Sequence, residues 1–249
     1  MKIILELEVL YFEKNANNEL DINYFDSKNE PLIFMFQRML KKLKVQFPKY
    51  SSLYVIFYES LTEEEKLKIR SENDEGREYY FKETKMEELK SKKNLDFLKE
   101  TLNTLLKGIR HSIFRECITD DELNKIENYV YEQNFIFVQN IGRKNNKTKT
   151  MRATLKAKLT PVNLTLFLVI TDMKSRKSLY DGCVFELPQS VIIPLRSKLN
   201  PISLYGYELY WENENTIDII INTVGDRLRT KIYRKNDDSV LIKQQKIKA

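Results

Sequence analysis

Cysteine, histidine and glycine are scarce in this chain, and each scarcity closes off a class of chemistry. Two cysteines in 249 residues, Cys117 and Cys183, are too few for a disulfide scaffold. No Cys-x-x-Cys spacing marks a redox or zinc motif, so they read as ordinary thiols of a reducing compartment. The one histidine, His111, falls roughly 120° off the apolar stripe of its helix at 100° per residue and reads as solvent-exposed. Alone, it cannot assemble a His-rich metal site or a Ser–His–Asp triad. The six glycines stand singly. They spell neither Gly-x-x-x-x-Gly-Lys-Ser/Thr nor Gly-x-Gly-x-x-Gly, so no backbone cradle for a nucleotide cofactor is expected.

Long apolar runs are also missing. The longest, around Leu164–Ile170, is strand-sized and far from the ~18 residues of a spanning helix. Glu6 and Glu8 interrupt the first apolar run, so no signal-peptide core forms. The expectation is a cytoplasmic protein with no membrane partner.

What is abundant is charge, and it is unevenly spread. Residues 1–141 carry 22 basic and 26 acidic side chains, whereas residues 142–249 carry 20 basic and 10 acidic. The first part is mildly acidic and the second strongly basic. An asymmetry of this kind suggests one part that faces a polyanion and one with another role.

The apolar periodicity changes at the same place. Residues 3–12 alternate as a half-buried strand, and 15–29 read as a loop or hairpin. Pro31 opens a helix carrying Leu32, Met35, Met39, Leu43 and Phe47, which Pro48 ends. Leu53–Tyr58 reads as a buried strand, and 72–79 as a charged, exposed connection. Three Ser/Thr-x-x-Glu spellings, Thr62 with Glu65, Thr84 with Glu87 and Thr119 with Glu122, predict helix starts near 63, 85 and 120. A longer helix over about 95–114 carries the stripe Leu95, Leu98, Leu102, Leu105, Ile109 and Ile113. Phe135–Val138 returns to strand. From Gly142 onward only short alternating segments remain: 150–159, 164–171, 179–187, 190–195, 204–211, 216–223, 226–234 and 239–245. The fold class expected is α+β. A mixed helix/strand part, 1–141, precedes an antiparallel β-rich part, 142–249, of sandwich or barrel type.

Carboxylate clusters at Glu63-Glu64-Glu65 and Asp120-Asp121-Glu122 head helices, where acids complement the macrodipole. Asp172, Lys174, Asp181 and Glu186 have the residue types of a metal-dependent nuclease, with generic spacing. The constellation above background is basic. Arg143, Lys144, Lys147, Lys149, Arg152, Lys156 and Lys158 fall in sixteen residues without an Asp or Glu. The first four surround a loop at Asn145-Asn146. Arg152, Lys156 and Lys158 alternate with apolar residues along one strand, and Arg227, Arg229, Lys231 and Tyr233 along another. Lys174, Arg176 and Lys177 decorate a turn. If the two strands share a sheet, they form one positive face with a stacking ring at Tyr233, suited to a phosphate backbone. The reading is a non-enzymatic binding protein in a larger assembly. Its basic β-part would contact nucleic acid, and its helical part would hold a protein partner. The alternative is an immunity-type or adaptor module that sequesters an acidic protein.

Overall fold

The alternation along residues 6–14 and 52–58 sets the framework of the first half. The computed structural model describes residues 5–14, 20–24, 27–48, 51–71, 77–188, 207–222, 227–234 and 240–247. Strand β1 (Glu6–Lys14) pairs antiparallel with β2 (Leu20–Tyr24) and parallel with β3 (Ser52–Tyr58). In turn, β3 pairs parallel with β4 (Arg77–Glu83). The sheet order is β2-β1-β3-β4. Leu7 lies opposite Leu53 and Val9 opposite Val55, all four buried. The 15–29 segment thus contains a hairpin strand. Residues 77–79, read from sequence as part of an exposed connection, begin β4, and 72–76 lie outside the described residues.

The helices that cover this sheet start and stop for local reasons. α1 (Glu30–Leu43) has Pro in its first turn and buries Leu32, Met35, Phe36, Met39 and Leu40. It stops short of the expected Pro48 because Lys44 turns left-handed, at φ 60°. The capping boxes at α2 (Glu63–Ser71) and α5 (Asp120–Glu132) form as spelled. Glu65 N–H donates to Thr62 Oγ1 at 3.2 Å and Thr62 N–H to Glu65 Oε2 at 2.7 Å. Thr119 and Glu122 do the same. The third box does not form. Thr84 N–H is already spent on Tyr58 O at 2.8 Å, so α3 (Met86–Ser91) starts after Lys85 with no side-chain cap. In α4 (Asn94–His111), Leu98, Leu102, Leu105 and Ile109 are buried as expected, but Leu95 and Ile113 are exposed. Ile113 lies beyond the helix, in a 3₁₀ turn whose Phe114 N–H donates to Ser112 Oγ. Gly108 lets α4 approach the sheet. A Cβ there would lie 3.1 Å from Tyr80 Cβ and 3.5 Å from Leu53 Cδ2.

Glu30 opens α1 largely buried. The loss of solvent pushes its carboxyl from 4.5 up to about 7, against the usual preference for an acid at a helix start. A raised carboxyl pKa weakens the fold as pH climbs. Below about 4.5 both states are protonated. Between there and about 7 the unfolded chain ionises first, and above that the penalty is constant. Glu30→Gln is therefore expected to raise stability by up to about 3 kcal/mol at pH 7.5 and by almost nothing at pH 4. Thermal melts at the two pH values check this, and equal gains at both would refute it.

The opposite face of the same sheet carries a smaller apolar cluster: Leu10, Phe12, Ile56 and Tyr58, with Tyr54, Tyr79, Phe81, Leu61 just before α2 and Ile69 of α2 packed on it. Tyr54 and Tyr79 stack at 5.1 Å.

Chain contacts divide the molecule between Phe137 and Val138, four residues before the charge boundary. Beyond that point the described residues form two four-stranded sheets, with orders β5-β6-β7-β8 and β12-β11-β10-β9. The strands are β5 (Phe137–Asn145), β6 (Met151–Leu159), β7 (Asn163–Asp172), β8 (Ser178–Pro188), β9 (Tyr207–Asn213), β10 (Thr216–Asn222), β11 (Arg227–Arg234) and β12 (Val240–Ile247). β6 pairs antiparallel with β7 and β7 with β8, and β10 pairs antiparallel with β9 and β11 and β11 with β12. The strand expected at 190–195 lies outside the described residues.

Period two governs which side chains are buried. Ala153, Leu155, Ala157 and Leu159 of β6, Leu164, Leu166 and Leu168 of β7, and Ile217, Ile219 and Ile221 of β10 are all at or near zero exposure. Side chains of β9 tie the two sheets together along β5. Tyr207 Oη donates to Ile141 O, and Trp211 Nε1 donates to Lys144 O at 3.1 Å. Glu214, just after β9, accepts from Asn146 Nδ2 and Thr148 Oγ1, each at 2.6 Å. Gly142 is required by this approach, since a Cβ there would lie 2.8 Å from Tyr207 Cε2.

Candidate nucleic-acid interface

The basic residues of the second half fall into three groups with different surroundings. The first group is on β11. Arg229 lies opposite Ile220 and Lys231 opposite Asp218, and Asp218 has no exposed surface. Arg229 Nε donates to both Asp218 carboxylate oxygens, at 3.0 and 2.8 Å, and its Nη2 pairs with the same carboxylate. Tyr210 Oη donates to Asp218 Oδ2 at 2.6 Å. Glu212 holds Arg229 Nη2 at 3.3 Å and the Lys231 ammonium. Burial pushes the Asp218 carboxyl up, but the hydrogen bonds from Arg229 and Tyr210 and the charges of Arg229 and Lys231 outweigh it and leave it lowered. Arg229 is correspondingly raised, chiefly by its hydrogen bonds to Asp218. These two cations are matched within their own sheet. The side chains of Arg227 and Tyr233 lie outside the described ones, so the stacking ring expected at Tyr233 does too.

The second group is on the outer face of the other sheet. Arg152, Lys156 and Lys158 share the face of β6 opposite its buried apolar side chains, all three half-buried. The two triplets therefore do not share a sheet, contrary to the condition on which a single positive face depended. Alternation fixes which face a side chain takes, but not which strand lies beside it. Across the strands of this face, Lys156 faces Phe167 and Lys158 faces Thr165. Phe167 is an aromatic neighbour that the sequence reading missed, although the same alternation along β7 marks it. On β8, Asp181 and Glu186 lie on this side too, opposite Val169 and Thr165.

The third group is at one end of that sheet. The β5–β6 turn and the β7–β8 turn lie at the same end, because Met151 is level with Asp172. Met173 N–H donates to Thr150 O at 2.8 Å and joins the two turns. Arg143 and Lys144, expected in a loop, are strand residues near the end of β5, because the ladder continues to Asn145. With Lys147, Lys149, Lys174, Arg176 and Lys177 they make seven exposed cations at this end. None of the seven forms an ion pair among the described residues.

The turns that carry them are held from within. Asn146 is buried; its Oδ1 accepts from Met151 N–H at 3.0 Å and its Nδ2 donates to Thr150 Oγ1 at 3.0 Å. Asp172 Oδ1 accepts from Lys174 N–H at 3.0 Å, Ser175 N–H at 2.6 Å and Ser175 Oγ at 2.8 Å. Arg152 Nε reaches Asn145 Oδ1 at 3.0 Å. Of the two carboxylates here, Asp172 closes its own turn and Glu214 is engaged by Asn146 and Thr148.

The nuclease-like quartet is not gathered. Asp172 serves its turn, Glu186 accepts from Asn163 Nδ2 at 2.6 Å, and Asp181 and Glu186 face β7 residues four apart, about 14 Å along a strand. Among the described residues no three His, Cys, Asp or Glu side chains are grouped as a metal ion would need. His111 is exposed at the end of α4, with Nδ1 2.7 Å from Lys107 O. Among the described residues no helix is long and apolar enough to cross a membrane. No family model and no curated protein matches the chain.

Proposed function

We propose that this chain is a nucleic-acid-contacting binding protein, and that its contact surface is the turn end of the β5–β8 sheet. The observation that carries this reading is the contrast between two sets of cations. Arg229 and Lys231 are matched by Asp218, Glu212 and Tyr210. The seven at the turn end are exposed and without ion pairs among the described residues. Cations whose neighbouring carboxylates, Asp172 and Glu214, accept hydrogen bonds from the turns themselves, on turns already ordered by those bonds, suit phosphate at little ordering cost. Arg152, Lys156 and Lys158 extend the positive surface along β6. The first half of the chain, mildly acidic and helical, is the part proposed to hold a protein partner.

The test is direct titration of the whole protein with a labelled nucleic acid of arbitrary sequence at low salt, where the phosphate term is largest. Binding that an unrelated sequence competes away equally well is the expected result. No affinity at low salt, together with retention of an acidic protein, would overturn the reading in favour of a protein-sequestering module.

A further inference from the structure

The turn end is two tips rather than one patch. One tip, 146–150, carries Lys147 and Lys149, and the other, 173–177, carries Lys174, Arg176 and Lys177. Each joins its own pair of strands, and the strand order β5-β6-β7-β8 sets the two tips side by side. Their centres are two strand spacings apart, about 10 Å. The Met173 N–H to Thr150 O bond fixes that spacing. Lys149 and Arg176 both take the left-handed conformation, at φ 59° and 62°, so each turn is tightly folded back. Neither tip contains an aromatic residue, so neither has a ring on which an unpaired base could stack, as single-strand binders require.

Two rows of cations at a fixed separation match two phosphate rows at a fixed separation. The minor groove of B-form DNA is about 6 Å wide and the major groove about 12 Å. Adding about 3 Å for the phosphate on each wall puts phosphate centres about 12 Å apart across the minor groove and about 18 Å across the major. Tips about 10 Å apart fit the first with ordinary side-chain reach and fall well short of the second. In A-form duplexes the minor groove is wide and shallow, and the two backbones instead approach each other across a deep, narrow major groove, the competing geometry that the RNA-duplex probe below tests. Resting on the phosphate-binding reading above, we infer that the two tips straddle the minor groove of double-stranded DNA. The 147/149 tip takes one backbone and the 174/176/177 tip the other.

The experiment uses the full chain with three probes of one sequence: a 20-base-pair DNA duplex, its single strand and the matching RNA duplex, read by fluorescence anisotropy at about 0.1 M salt. The duplex DNA is expected to bind at least tenfold more tightly than either of the others. A small ligand of the A·T minor groove should displace the protein, and methyl groups placed in the major groove should not. Neutralising either tip, with Lys147→Gln and Lys149→Gln or with Lys174→Gln and Lys177→Gln, should flatten the log affinity against log salt plot on the duplex by about 2, from about 0.9 per phosphate. Equal or tighter binding to the single strand, particularly if Phe167→Ala weakens it, would overturn the inference and leave the phosphate-binding reading standing. Indifference to the minor-groove ligand, or equal binding of the RNA duplex, would overturn it in the same way. Failure of all three probes to bind would bring down both.

Discussion

Reversing Lys147, Lys174 and Lys177 together to glutamate is expected to lower nucleic-acid affinity by about two to three decades at 0.1 M salt. Each phosphate contact contributes about 0.9 to the salt slope, so at 0.1 M its loss removes close to one decade. The slope itself should flatten by about 2–3. The loss should be nearly uniform across sequences, because contacts to phosphate carry no base information. All three residues are exposed, and such changes cost within about 0.5 kcal/mol each, so the fold should persist. The informative control is Lys85→Glu, Lys93→Glu and Lys107→Glu, three exposed lysines of the first half whose reversal alters net charge equally. If both triple variants lose the same affinity, net charge and not the turn end governs binding.

Asp218→Ala is expected to cost about 3–5 kcal/mol of stability, the range for removing one partner of a buried ion pair. The alanine leaves the Arg229 guanidinium and Tyr210 hydroxyl without the acceptor they share. It also leaves Lys231 and Arg229 with Glu212 alone. The effect carries a pH signature. The folded-state pKa of Asp218 is lowered from its ordinary 3.8, so its contribution is complete above about pH 4 and is lost as pH falls through the folded value. The stability gap between wild type and Asp218→Ala should thus be full at pH 7 and narrow below pH 4. Denaturant titrations at the two pH values measure it. A gap that stays constant into acid would mean that Asp218 acts through packing alone. Nucleic-acid affinity of the folded variant should not fall, because Arg229 and Lys231 lie outside the turn end.

How much of this was legible in the sequence depends on the range of the signal. Strands β6, β7, β8, β10 and β11 fall within a residue or two of their expected limits, because period-two alternation ends at turn residues on both sides. The helix starts at Glu63 and Asp120 followed from Thr62 and Thr119, since a capping box is local chemistry. Thr84 failed for a long-range reason: Tyr58, in a different strand, claims its N–H. Strand β4 was hidden because the charged run 72–78 outweighed Tyr79, Tyr80 and Phe81. The site shows the same division. Its cations were all visible, but sheet membership is a long-range property, and the single positive face depended on β6 and β11 sharing a sheet, whereas they belong to different ones. One part of the correction was within reach. Folding the chain about the turn at Thr223-Val224-Gly225-Asp226 sets Asp218 against Lys231 and Ile220 against Arg229, which is the register observed. That register already foretold that the β11 cations would meet a carboxylate.

Asp218 also matters before the fold exists. The segment Thr216-Ile217-Asp218-Ile219-Ile220-Ile221-Asn222 has four isoleucines and a single charge, the composition that stacks into intermolecular β-structure when exposed. In the nascent or heat-unfolded chain, the carboxylate sits inside that run as a gatekeeper, repelling a second copy of itself in any parallel, in-register stack. Once Arg229 closes over it, the charge is neutralised and the same segment becomes the interior of the sheet. The pairing thus makes one residue protect against aggregation while the chain is open and hold the sheet together when it is closed, and refolding yield at high protein concentration should suffer when it is removed.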